Sequence, residues 1–126
     1  MDRYKLKGGY SLAVSDDAAC LSRGLLKKYV LTFRASPCDE TGRGGAGGRL
    51  CITAEGEAPV PVLTEALICV SRAWRDGKTN EIFLLTDSGN AALNEAAKKA
   101  EYVECRREIR GAGDLDTVLY KRHTDR

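Results

Sequence analysis

Histidine is almost missing from this chain: His123 is the only one, and it stands in a charged tail three residues from the C-terminus. A hydrolytic triad needs an imidazole beside a nucleophile, so that chemistry is excluded. The five cysteines, Cys20, Cys38, Cys51, Cys69 and Cys105, form no C-x-x-C pair and no zinc-ligand spacing with His123. Metal and other cofactors are therefore not expected. No apolar run approaches the roughly 20 residues of a membrane-spanning helix. Met1-Asp2-Arg3-Tyr4 does not open a secretory signal, although the basic first segment, with Asp2 as its single acid up to Ser15, is compatible with an organellar presequence. Free thiols at apolar positions such as Cys51, Cys69 and Cys105 read as small buried hydrophobes, which places the protein inside the cell in a reducing compartment. No G-x-x-x-x-G-K-[ST] phosphate loop is present, and no paired carboxylates carry a specific acid–base signature, so a non-enzymatic protein is expected.

What is present is enough for one core. With 126 residues, 43% apolar and 30% charged, the composition is that of a single globular unit. The net charge of +2 is unevenly placed. Residues 1–49 carry nine Lys/Arg and five Asp/Glu, residues 50–97 three and seven, and residues 98–126 eight and six. Acidic charge thus gathers around the middle of the chain and basic charge at its two ends.

The segment Asp39-Glu-Thr-Gly-Arg-Gly-Gly-Ala-Gly-Gly-Arg49 has five glycines in eleven residues and no large apolar group, so residues 39–48 are read as a linker. Residues 1–38 before it form an N-terminal extension. There Tyr10–Val14 alternates as a strand, Ser15-Asp16-Asp17 caps a helix through residues 17–28, and Tyr29–Ala35 is rich in strand formers. Residues 49–126 form the main unit. Leu50–Ala54 makes a short strand, and Gly56, Pro59 and Pro61 turn it into a helix. From Val62 to Arg75 apolar residues recur at threes and fours, and Gly77 ends the helix. Ile82–Leu85 is an unbroken apolar run, as in a strand covered on both faces. Asp87-Ser-Gly-Asn90 then opens an alanine-rich second helix whose small residues permit close approach of another backbone. Residues 103–110 and 115–122 form a hairpin across Gly111-Ala-Gly-Asp114.

Two features are suited to nucleic acid. Ser88, Gly89 and Asn90 open the second helix, where backbone N–H groups can receive a phosphate. Arg106, Arg107 and Arg110 on one strand of the hairpin and Lys121 and Arg122 on the other form a basic arm, with Arg43 and Arg49 of the linker as auxiliaries. Glu104, Glu108, Asp114 and Asp116 lie among them. Stacking rings are scarce here, Tyr102 and Tyr120 being the aromatics near the hairpin.

The stretch Ala58-Pro-Val-Pro-Val-Leu63, the helix to Trp74, Gly77, Glu81-Ile-Phe-Leu-Leu85, Gly89-Asn-Ala-Ala92 and Ala96-Ala97 with Ala100-Glu101 resembles the Alba family. The resemblance implies an α/β fold, a two-layer βαβαββ sandwich, here following an N-terminal extension of strand-helix-strand character. It further implies binding of RNA or DNA, and assembly as a homo- or heterodimer or within a ribonucleoprotein complex. A weaker resemblance is to TusA/SirA-like sulfur carriers, which open their first helix with C-P-x-P. Here Ala58-Pro59-Val60-Pro61 keeps the prolines and lacks the cysteine, which implies a degenerate domain serving as a protein-interaction module.

Overall fold

The computed structural model describes residues 2–24, 28–38, 49–74, 81–108 and 117–123. The strands are β1 (Asp2–Lys5), β2 (Tyr10–Val14), β3 (Ala18–Arg23), β4 (Lys28–Cys38), β5 (Arg49–Gly56), β6 (Glu81–Asp87), β7 (Val103–Glu108) and β8 (Thr117–His123). Helix α1 (Val60–Ala73) lies between β5 and β6, and α2 (Ala91–Lys99) between β6 and β7.

All eight strands belong to one sheet of order β1-β2-β3-β4-β5-β6-β8-β7. This corrects the expected two-layer βαβαββ sandwich with an N-terminal extension of strand-helix-strand character: residues 2–38 supply four strands of the same sheet, and β4 pairs with β5 over Leu31–Cys38 and Arg49–Gly56. Residues 39–48, read from sequence as a linker, lie outside the described residues.

The helix expected over residues 17–28 is also corrected. Ala18–Arg23 is strand β3, with Ala19 and Leu21 buried and their neighbours half-exposed, a period of two rather than 3.6. Its small residues satisfy either pattern locally, and the antiparallel pairing to β2 on one side and β4 on the other decides the outcome. Ser15-Asp16-Asp17 is the turn between β2 and β3, closed by the Ser15 hydroxyl and amide on the Ala18 carbonyl.

The elements after the glycine-rich segment follow the sequence pattern closely. Helix α1 starts where Pro59 and Pro61 place it and buries Val62, Leu63, Ala66, Leu67, Val70 and Ser71. Strand β6 buries Ile82, Phe83 and Leu84 in succession. Helix α2 buries Leu93, Ala96 and Ala97, and these small side chains bring it close to α1.

Both helices share a core with one sheet face, which contributes Leu12, Leu21, Phe33, Ile52, Ile82, Leu84, Val118 and Tyr120. Each fully buried Leu, Ile or Phe side chain contributes about 1.5–3 kcal/mol from removal of its apolar surface from water. The opposite face carries a small cluster of Cys38, Cys51, Phe83 and Leu119. Burial pushes the Cys51 thiol up to about 12, reinforced by neighbouring Cys38. Cys105, expected to be buried, is exposed on the edge strand β7. No helix among the described residues is long and apolar enough to cross a membrane.

Candidate functional site

Among the described residues β5 and β6 are the parallel neighbours in the sheet, and their pairing is short. It comprises Leu50 with Ile82, Cys51 with Phe83 and Ile52 with Leu84. Beyond that point each strand keeps its outer partner and loses its inner one. Thr53–Gly56 stays paired with β4, while Leu85–Asp87 stays paired with β8. The two strands therefore part toward their C-terminal ends, leaving inner edges whose main-chain groups form no ladder with each other. Helices α1 and α2 both begin at this end, one from each strand. In an open α/β sheet this is where ligands bind.

A cleft of about 640 Å³ occupies the opening. Leu31, Leu63 and Leu93 give it an apolar base, Gly56–Pro59 and Gly89–Ala92 form opposite sides, and Tyr10, Glu57 and Asp87 supply its hydroxyl and carboxylates. The Arg23 guanidinium lies 5.4 Å from the centre of the Tyr10 ring, a cation–π contact that holds the ring. Gly56 has φ +119°, and a side chain there would run into the Val30 carbonyl, so glycine alone lets β5 end this close to β4.

Asn94 fixes the other side. Its amide nitrogen donates to the carbonyls of Asp87 and Asn90, both at 2.8 Å, and its oxygen accepts from Thr86 Oγ1 at 2.7 Å and from Tyr120 Oη at 2.9 Å. One side chain thereby ties α2 to β6 and β8. Nothing in the sequence reading singled it out. Its spacing of four residues from Asn90, on the same helix face, was the available signal.

The described sequence-derived site residues fall in more than one place: Ser88–Asn90 at the cleft, Arg106, Arg107, Lys121 and Arg122 on the paired strands β7 and β8, and Arg49 on β5. Gly89 and Asn90 line the cleft, and Ser88 is exposed in the adjoining turn. Two main-chain donors there are engaged within the turn: the Leu93 amide donates to Asn90 Oδ1 at 3.1 Å, and the Gly89 amide to Asp87 Oδ1 at 3.0 Å. Arg106 and Arg107 lie on the exposed edge strand β7, and Arg107 pairs with Glu104 at 2.9 Å, which holds the Glu104 carboxyl below its usual range. Lys121 is half-buried on β8. Arg122 donates to the Ala100 carbonyl at 2.9 Å and faces Glu101 at 3.7 Å, so it closes the end of α2. Arg49 begins β5 at the end of the strand away from the cleft. Arg43 and Arg110 lie outside the described residues. Glu57, Asp87 and Tyr10, which the sequence reading left out of its site, are the ones the cleft assembles. No group of three or more metal-binding side chains occurs among the described residues.

No protein-family model matches the sequence, and no curated protein does either. Solved structures do. The acetyltransferase of the GNAT family from Bacillus anthracis is 9% identical with a TM-score of 0.62, over 86% of this chain and 66% of its own. The yncA protein of Salmonella typhimurium, solved with its cofactor acetyl-CoA, is 12% identical with a TM-score of 0.64, over 93% and 66%. The microcin C7 self-immunity acetyltransferase MccE, in complex with acetyl-CoA and AMP, is 11% identical with a TM-score of 0.61, over 84% and 59%. The chain thus spans about two thirds or less of these proteins' length. The likeness establishes the fold. It overturns the Alba and TusA/SirA resemblances, and with them the expected non-enzymatic RNA- or DNA-binding protein, its protein–RNA assembly and the alternative interaction module: the three solved structures above that share this fold bear acetyltransferase names.

Proposed function

We propose that the protein transfers an acyl group from a thioester donor to an amine. The observation that carries this reading is the parting of parallel strands β5 and β6 after Ile52 and Leu84, which opens a cleft in a fold shared with acetyltransferases. The inner edges of Thr53–Gly56 and Leu85–Asp87 can pair with an extended, amide-bearing arm much as a sheet accepts an added strand. The apolar base beneath suits the acyl and methylene groups.

The acceptor side follows from charge. Amines are cationic near neutral pH, and Glu57 and Asp87 place two carboxylates at the cleft without a described lysine or arginine among its lining. One carboxylate attracts the ammonium and takes a proton from it, freeing the lone pair that attacks the thioester carbon, and as the C–S bond breaks the nitrogen gives its second proton to the other carboxylate. Tyr10 is the hydroxyl among the described lining residues able to return a proton to the departing sulfur.

The reading is tested by incubating the protein with acetyl-CoA or S-acetyl-pantetheine and a panel of primary amines, and following product mass. Acetylated amine should form, and the Glu57→Gln/Asp87→Asn pair should lower kcat/KM by about 10²-fold or more. Absence of product and of binding with both donors would overturn it.

A further inference from the structure

Resting on that reading, we infer that the acceptor is an amine that also carries a carboxylate, its ammonium held by Glu57 and Asp87 and its carboxylate by Arg23. Alternation along β3 buries Ala19 and Leu21 on the face that packs against the helices, and Arg23 continues that row, exposed, at the end of the strand. It stands opposite Tyr10 in the β2–β3 ladder, with its guanidinium 5.4 Å from the centre of the Tyr10 ring. Tyr10 in turn lines the cleft, so a cation borders the cleft at its β2–β3 end, on the same sheet face as Leu31 of its base.

Stacking occupies the flat face of a guanidinium and leaves its in-plane N–H groups to an anion, and that fork matches a carboxylate. The Tyr10 contact also orders the side chain before any ligand arrives, which lowers the entropy cost of binding. The acids stand further across the sheet. Strand β4 separates β3 from β5, and with neighbouring strands about 4.8 Å apart, β3 and β5 run about 10 Å from each other. The Glu57 amide donates to the Val30 carbonyl at 3.1 Å, which fixes this acid at the edge of β4. A ligand with a positive and a negative end can therefore lie across β4 between Glu57 and Arg23. The donor arm, seated along the inner edges of β5 and β6, is two strands away from Arg23. In the transfer the C–N bond forms at the amine and the C–S bond breaks, while the carboxylate on Arg23 keeps all its bonds.

The test measures acetylation of ω-aminocarboxylates from glycine to 6-aminohexanoate beside alkylamines of equal carbon number, with S-acetyl-pantetheine and with acetyl-CoA. At the best chain length the aminocarboxylate should exceed its alkylamine by about tenfold or more in kcat/KM, chiefly through KM. Arg23→Gln should cut that ratio to within about threefold, and Arg23→Lys should restore part of it. Calorimetric binding of the best aminocarboxylate should weaken with added salt and with Arg23→Gln. Loss of the Tyr10 contact alone would lower both acceptor series equally, and an unchanged ratio in folded Arg23→Gln protein overturns the inference. A preference for the alkylamine at every length does the same. Weakened acetyl-CoA with unweakened S-acetyl-pantetheine and an unchanged ratio would assign Arg23 to a donor phosphate, again overturning it while leaving acyl transfer standing. Acetylation of neither series with either donor removes the acyl-transfer reading itself.

Discussion

The amide nitrogen of Asn94 donates to the main-chain carbonyl of Asp87 at 2.8 Å, so the helix that borders the cleft is fastened to the strand end that carries one of its carboxylates. Because the same side chain also accepts from Thr86 and Tyr120, it serves as the junction of α2, β6 and β8.

Asn94→Ala should therefore be costly out of proportion to its size. It leaves the Thr86 and Tyr120 hydroxyls without their acceptor, and an unsatisfied buried polar group costs about 1–3 kcal/mol. Urea unfolding should show a loss in that range. Thr86→Val combined with Asn94→Ala should lose less than the sum of the two single changes, since the deserted hydroxyl is then gone.

Glu101 occupies a left-handed backbone position with φ 69°. It follows the Ala100 cap of α2, where its amide bonds to the Lys98 carbonyl and the next amide, from Tyr102, reaches the Ala97 carbonyl at 2.9 Å. This is the helix ending that favours glycine. Glu101→Gly should stabilise the protein by about 0.5–1 kcal/mol, and raise the melting temperature by a few degrees. The lost ion pair to Arg122, at 3.7 Å from a largely exposed carboxylate, does not offset this gain.

Alkaline pH should unfold the protein through two buried groups on opposite faces of the sheet. Burial pushes Cys51 from 9.0 up to about 12 and Tyr102 from 10.0 up to about 12, the latter opposed by its hydrogen bond to Ser71. Both protons are held more tightly folded than unfolded. Their contribution is complete below about pH 9 and is lost as pH rises toward 12, with a slope of up to about 1.4 kcal/mol per pH unit per group. Denaturant midpoints at pH 7, 9 and 11 should be level over the first interval and fall over the second. A Cys51→Ala/Tyr102→Phe variant should show a shallower fall.

Local pattern carried part of this architecture. The proline-started helix, the apolar run of β6, the capped alanine-rich helix and the last two strands all follow from periodicity and turn chemistry within a few residues of each other. The sequence even marked Gly89 and Asn90, though as a phosphate site. It did not show that the Leu93 and Gly89 amides are satisfied from within the chain, because a turn with Ser88 and Asn90 can cap a helix or receive a phosphate.

By itself, then, the sequence determined where α1, β6 and α2 begin, because caps, prolines and apolar stripes act at short range. Tertiary structure decided the rest. Only pairing on both sides makes Ala18–Arg23 a strand, only the ladder to β5 merges residues 2–38 into the main sheet, and only the exchange of partners beyond Ile52 and Leu84 opens the cleft. Strand pairing joins residues far apart in the chain, and a period of two in a short run of small residues does not record which neighbours it will meet.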